Sequence, residues 1–392
     1  MGRPGHGAWC AVRVRALLLA NRPVPAGQPV GAERGLHRVG YPARRGCADG
    51  VGLRPARCRA HHRTGSGVPL ARPSMSERDL RAAGITDPEL RASYERCREL
   101  NAAHGKTYYL ATLLLPPGKR PYVHALYGFA RYADEIVDDL ASTLTDQEKS
   151  DWLGSWGEEF LADVKRGRSD DPVCKAVVDT VRRWQIPIEH FEAFLHSMRM
   201  DLTVTEYRTY EDLYEYVYGS AAVIGLQMVP ILEPTDPAAY DYAMKLGVSF
   251  QLANFVRDVS EDLDRGRVYL PMAELERFGV TREVLEQRQS TPEVKAALRH
   301  QIERVKRLER ESRPGIDMLH PASRDCIDAA RILYCGIADE VVHIDYEVFR
   351  KRASVPMRQR LWVALPAWRR AVRARRRYGP GHVRGINPSY AN

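Results

Sequence analysis

Gln251-Leu252-Ala253-Asn254-Phe255-Val256-Arg257-Asp258-Val259-Ser260-Glu261-Asp262 sets four polar side chains in an apolar surround. Gln251, Asn254, Asp258 and Asp262 step by three, four and four residues, the spacing that lines side chains along one stripe of an α-helix. With Phe250, Leu252, Phe255, Val256 and Val259 around it, the stripe faces a helix-lined cavity. Carboxylates held together there repel one another unless cations neutralise them.

About 120 residues earlier, Arg131-Tyr132-Ala133-Asp134-Glu135-Ile136-Val137-Asp138-Asp139 ends another helical pattern. Its i, i+4 spacing puts Asp134 and Asp138 on one face, with Arg131 a turn earlier. One such pair alone reads as a solvated helix face. Two, each with an Arg and apolar flanks, point to facing carboxylate sites for Mg²⁺, with Mn²⁺ as a substitute. Magnesium takes one or two protein carboxylates and leaves its other positions to water and phosphate. Arg131 and Arg257 are placed to add charge-assisted contacts to the same phosphate oxygens.

Outward from these motifs, long helical patterns follow one another: Asp87–Ala103, Lys119–Asp139, Asp146–Lys165, Asp171–Trp184, Ile188–Leu202, Tyr210–Leu232, Asp236–Asp264, Thr291–Leu319 and Ser323–Ile344. Thr86-Asp87-Pro88-Glu89, Thr235-Asp236-Pro237 and Ser290-Thr291-Pro292-Glu293 pair a capping side chain with Pro in the first turn. Alternation of the β type between turn signals is absent, so the expected class is all-α.

The 392 residues carry a formal charge of +9, unevenly placed. Residues 1–74 hold thirteen Arg and two acids, and residues 350–392 hold eleven Arg, Lys351 and no acid, which leaves 75–349 at −14. An acidic middle suits cations, and no nucleic-acid partner is expected. The Gly/Pro/Arg-rich segment 1–74 lacks either hydrophobic period and gives way at Met75-Ser76-Glu77-Arg78 to ordinary helical patterning. It reads as a disordered leader upstream of a native start at Met75; a targeting segment or a functional arm are the alternatives. Residues 353–392 read as a basic, largely disordered tail. Within it, Leu361-Trp362-Val363-Ala364-Leu365-Pro366-Ala367-Trp368 beside Arg369 and Arg370 would suit peripheral contact with an anionic membrane. Seven Cys without zinc spacing, and no stretch near the roughly 20 apolar residues that span a bilayer, point to a reducing cytoplasm, peripheral at the inner face of the membrane if the tail binds there.

From His104 to Phe349 the chain resembles the phytoene/squalene synthase family. The resemblance rests on His104-Gly105-Lys106-Thr107-Tyr108-Tyr109, on Tyr127-Gly128-Phe129-Ala130-Arg131 running into the first aspartate motif, on the second motif, and on Asp264-Arg265-Gly266-Arg267-Val268-Tyr269-Leu270-Pro271. Tyr216-Val217-Tyr218-Gly219-Ser220-Ala221 and Ala329-Ala330-Arg331-Ile332-Leu333-Tyr334 are similar to two further, less specific segments. The resemblance implies a single-domain isoprenoid synthase helical bundle over 75–352 with a central cavity. It implies metal ligation by Asp134, Asp138, Asn254, Asp258 and Asp262, and catalysis by the four aspartates with Arg131 and Arg257. Substrate contacts would come from His104, Gly105, Lys106, Thr107, Tyr127, Arg131, Tyr216, Gln251, Arg257, Arg267 and Tyr334. His104 read by itself could equally be structural, and Tyr334 packed core.

The implied reaction joins two prenyl diphosphates head to head through a cyclopropyl diphosphate. Proton loss at the end gives phytoene from C20 substrates; hydride from NADPH gives squalene from C15 substrates. The motif combination looks most like bacterial phytoene synthases, so geranylgeranyl diphosphate is the expected substrate and NADPH is not expected. The alternatives are a squalene or dehydrosqualene synthase using farnesyl diphosphate, or a non-enzymatic assembly factor of the same fold. Tyr108, Tyr127, Tyr216 and Phe255 are the residues expected to line the cavity.

Overall fold

The computed structural model describes residues 75–138 and 144–381; the side chains of Met75, Lys106 and residues 136–138 lie outside the described set. The leader 1–74 therefore falls outside the described residues, as do 382–392 of the tail. Seventeen α-helices follow in order among the described residues: α1 Met75–Ala82, α2 Pro88–His104, α3 Lys106–Thr112, α4 Arg120–Asp138, α5 Asp146–Arg166, α6 Cys174–Trp184, α7 Glu189–Met200, α8 Tyr210–Val217, α9 Val223–Leu232, α10 Ala239–Arg257, α11 Val259–Asp264, α12 Met272–Glu276, α13 Arg282–Glu286, α14 Pro292–Ser312, α15 Pro314–Asp317, α16 Pro321–His343 and α17 Met357–Tyr378. Isolated bridges join Glu206 to Val268 and Pro234 to Leu319, and no strand forms among the described residues. The class is all-α.

The caps explain several boundaries. Asp87 accepts from the Leu90 amide with Pro88 behind it, and Thr291 caps α14 in the same way with Pro292 in the first turn. Thr145 and Glu148 close a reciprocal capping box at the start of α5, and left-handed Gly167 ends that helix.

Three helical runs are broken where the sequence reads as continuous. Between α8 and α9, Tyr218–Ala222 forms a π-helical turn. There the Ser197 hydroxyl donates to the Tyr216 carbonyl at 2.9 Å and so competes for an oxygen of the helical ladder. The second break falls at Asp258 (φ −97°, ψ 17°), although the Asp258 and Asp262 amides still reach the Asn254 and Asp258 carbonyls at 2.8 and 2.9 Å. The third is at Arg313, just before Pro314.

α10 is the axis of the bundle, packing on α9, α14 and α16. Its contact with α9 is backbone to backbone: a Cβ at Gly225 would lie 2.5 Å from the Ala243 carbonyl oxygen. On the other side, Phe129 of α4 lies among Trp156, Phe160, Phe191 and Phe194, with ring centroids 4.4–5.6 Å away, and ties α4 to α5 and α7. Each such ring taken from water stabilises the fold by about 2–3 kcal/mol.

Two sequence expectations are corrected. The tail expected to be largely disordered holds α17, a 22-residue helix fastened to α16 through buried Ala367 and Ala371, with Pro366 on its exposed side. The helical run Tyr210–Leu232 is long and apolar enough to cross a membrane by length and composition, but 61% of its apolar window is buried inside the protein. Core burial accounts for that hydrophobicity.

Candidate functional site: a cavity with a polar mouth and an arginine-lined annex

A cavity of about 390 Å³ runs along α10. Its α10 wall extends from Ala239 to Asn254, which at 1.5 Å per residue is about 22 Å. One end is polar, with Arg131 and Asp134 from α4 facing Gln251 and Asn254 from α10. The remaining wall is mainly apolar and includes Leu232, Leu319, Cys326 and Ile327. Two polar atoms in this wall, the Ser220 hydroxyl and the Asn101 Oδ1, are buried without a hydrogen-bond partner.

At the mouth, Arg131 Nη1 donates to Asp134 Oδ2 at 2.7 Å and its Nε to Glu135 Oε1 at 3.1 Å. Glu135 also lies 3.4 Å from His104 Nε2, so His104 sits behind this cluster rather than in the cavity wall. Burial and then Arg131 depress the His104 pKa, against the pull of Glu135. Gly105 has a spatial reason: a Cβ there would lie 2.7 Å from the Tyr127 ring, which lines the cavity. The side chains of Lys106 and Asp138 lie outside the described residues.

The second motif does not face the cavity as one stripe, since Asp258 and Asp262 line neither it nor the pocket beside it. Gln251 and Asn254 face the cavity, while Arg257 turns to a neighbouring pocket of about 270 Å³ lined also by Thr107, Tyr334, Arg352 and Arg360. Tyr334 of this pocket stacks on Tyr108 of the cavity at 4.2 Å, so a tyrosine pair forms the partition. Burial raises the pKa of both hydroxyls, and that of Tyr127 to about 12, keeping all three as proton-bearing donors at neutral pH.

Asp258 is gripped from two directions. Arg257 donates through Nε and Nη2 at 2.6 and 2.5 Å, and Arg352 through Nε and Nη2 at 2.8 and 3.0 Å. Burial would raise the Asp258 pKa, but the two guanidinium groups together hold it below its ordinary value. Asp262, one turn on and 7% exposed, has its pKa pushed up to about 8, by burial first and by the Asp258 charge second. A buried carboxyl beside an ionised one is a site that a cation would favour. No group of three or more His, Cys, Asp or Glu side chains among the described residues could enclose a metal ion alone. The Asp258 and Asp262 carboxyls are the hard oxygen donors suited to ions that take one or two carboxylates and complete their shell with phosphate and water, as Mg²⁺ does.

Two residues lie outside the cavity wall, and a third lines it with its hydroxyl already engaged. Phe255 leaves the cavity and stacks on Tyr269 at 4.4 Å. Tyr216 lines the cavity with its ring, but its hydroxyl is committed to Asp201 Oδ2 at 2.7 Å. Tyr269 takes the other Asp201 oxygen at 2.7 Å, and Arg267 donates to the Asp201 carbonyl at 2.7 Å. Arg267 thus anchors the loop after α11 to α7 and does not line the cavity. Sequence reading missed Arg352 and Arg360, which lie in the basic tail or at its edge. No local pattern marks them, because their roles depend on contacts across the chain; Arg352 reaches back 94 residues to Asp258.

Comparison with known proteins agrees with this geometry. The Squalene/phytoene synthase family profile matches residues 101–359. The chloroplastic phytoene synthase of Daucus carota is 37% identical over 303 residues, covering 75% of this chain and 73% of its own. The 15-cis-phytoene synthase of Synechocystis is 35% identical over 291 residues, covering 71% and 85%. Among solved structures, a squalene synthase from Alicyclobacillus acidocaldarius superposes with a TM-score of 0.62 at 27% identity, covering 68% of this chain and 98% of that one. A dehydrosqualene synthase gives 0.65 at 26% identity, covering 71% and 96%. The chain belongs to the squalene/phytoene synthase family of prenyltransferases.

Proposed function

We propose that the protein condenses two geranylgeranyl diphosphates head to head into phytoene, the entry step to carotenoids, using Mg²⁺ and no NADPH. The supporting observation is the cavity along the about 22 Å of α10, mainly apolar with Arg131, Asp134, Gln251 and Asn254 among its lining, which matches a long prenyl chain carrying a diphosphate. Asp134 and Asp138 on one side and Asn254, Asp258 and Asp262 on the other would hold Mg²⁺. The ion supplies charge neutralisation for a departing diphosphate.

The protein's own groups do the rest. Arg131 at the mouth and Arg257, Arg352 and Arg360 in the annex offer separate guanidinium sets for the diphosphates of two substrates. Their contacts strengthen as the leaving group gains charge, which lowers the barrier to allylic ionisation. The Tyr108–Tyr334 stack stands where the two chains would meet, and its ring faces can stabilise an allylic cation. The apolar wall excludes the water that would quench such a cation as an alcohol. We assign the enzyme to the cytoplasm.

Production of squalene or dehydrosqualene from farnesyl diphosphate is the second reading, favoured by the likeness to solved squalene and dehydrosqualene synthases. Incubation of the purified protein with each diphosphate and Mg²⁺, with and without NADPH, followed by chromatography with ultraviolet and mass detection, separates the two. Phytoene from the C20 substrate without NADPH is expected. A C15-derived hydrocarbon with no C20 product would overturn the reading.

A further inference from the structure

α17 shows the largest run of exposed apolar side chains among the described residues. Met357, Leu361, Leu365 and Trp368 are spaced four, four and three apart and form one stripe, 62, 52, 58 and 53% exposed; Trp362, 79% exposed, borders it. Around the helix next to this stripe come Arg358, Arg369, Arg373 and Arg376, all exposed. The helix is also fastened to the rest of the protein. Ala367 and Ala371 are buried, Arg370 Nε pairs with Asp325 at 2.6 Å, and Arg375 Nη1 reaches the Leu114 and Leu115 carbonyls at 3.3 and 3.0 Å. The outward face is therefore held in place and not left over from a loose segment.

We propose that this face of α17 docks the protein on an anionic lipid surface. Its composition selects that occupant. Tryptophan rings beside leucines, rimmed by Arg, match the boundary between headgroups and acyl chains. Residues 350–381 contain no acid, so a second copy seated on the same face would set Arg against Arg, whereas phosphate headgroups complement it. The site lies close by in the fold. Arg360 of α17 lines the annex, and Arg352 just before the helix grips Asp258. Docking through α17 thus brings the annex toward the bilayer, the phase into which a long hydrocarbon leaves.

The test is co-sedimentation of the full chain with sucrose-loaded vesicles, either phosphatidylcholine alone or with roughly a third phosphatidylglycerol. The readout is binding, so it is independent of which hydrocarbon the enzyme makes. Binding to the anionic vesicles only, weakened by salt and accompanied by a blue shift of tryptophan emission, is expected. Trp362→Ser with Trp368→Ser should lower the partition roughly tenfold. Arg369→Gln with Arg373→Gln and Arg376→Gln should lower it about a hundredfold, roughly fivefold per charge. Circular dichroism and thermal melting confirm that both variants fold. Wild-type binding by the tryptophan variant, or equal binding to both vesicle types, overturns the proposal. So does a wild-type dimer in vesicle-free solution that the tryptophan variant dissolves, because the face would then be covered by a second copy.

Discussion

At the end of α4, Asp134 is 42% exposed and pairs with Arg131, one turn back on the same helix. At the α10–α11 junction, Asp258 is 17% exposed and takes one guanidinium from its neighbour Arg257 and another from Arg352. The first motif joins Arg131 to Asp134 and Glu135 on its own helix, with His104 of α2 3.4 Å from Glu135. The second is assembled from two distant parts of the chain and set before any ligand arrives. The asymmetry is one of reach, with neighbouring groups on one side and a contact spanning 94 residues on the other.

The largest expected effect tests both halves. Asp258→Ala and Asp134→Ala should each lower kcat at least about a thousandfold with helical circular dichroism unchanged. If the second motif is the preset one, calorimetry with Mg²⁺ and inorganic diphosphate should show Asp258→Ala losing more affinity than Asp134→Ala. Full turnover in either variant would refute the metal assignment, and the reverse order of affinities would undo the comparison. Next in size is Arg352→Gln, which removes one of the two grips on Asp258 and one annex cation. Loss of a charged hydrogen bond should cost about 1.5–3 kcal/mol, or about 10–100-fold in kcat/KM. Wild-type kinetics there would mean that Arg352 is only a surface ion pair.

The smallest effect concerns the scaffold behind the first motif. His124, on α4 and 2% exposed, is hydrogen-bonded to Asn101 Nδ2 at 2.9 Å and stacked on Tyr109. Burial first, then Arg98 and Arg120, push its pKa down to about 3. The imidazole is neutral in the folded state, and the unfolded chain takes up its proton below about 6.5. Stability from this group is thus complete above pH 6.5 and is lost as pH falls toward 3, by about 2 kcal/mol at pH 5. Urea melts between pH 7 and 5 should show that slope, and His124→Gln should flatten it. An unchanged slope in the variant would assign the acid sensitivity elsewhere.

What could be read from the sequence was what repeats within a few residues. The helical class and the Asp87 and Thr291 caps follow from spacing along one helix, whereas the stripe through Gln251, Asn254, Asp258 and Asp262 is cut at Asp258, between α10 and α11. What could not be read depends on a partner far along the chain. The sequence marks Tyr216 and Arg267 but not that both also bind Asp201. Phe255 has the periodicity of a cavity residue, but the ring it meets is Tyr269. Arg352 and Arg360 sit in a stretch whose abundance of Arg hides which of them turn inward. The tail reads as disordered because Pro366 interrupts its pattern, yet that residue lies on the exposed side and Ala367 and Ala371 supply the packed one.

The close passage of α9 over α10 at Gly225 governs how the cavity can change over generations. Where its wall is carbonyl oxygen and Cα there is no side chain to trim, so point mutation can only narrow that stretch or wedge the helices apart. Elsewhere the wall is Leu232, Leu319 and Ile327, which single codon changes can shorten. Descendants of this chain can therefore admit longer molecules in single mutational steps, while the girth they accept stays inherited.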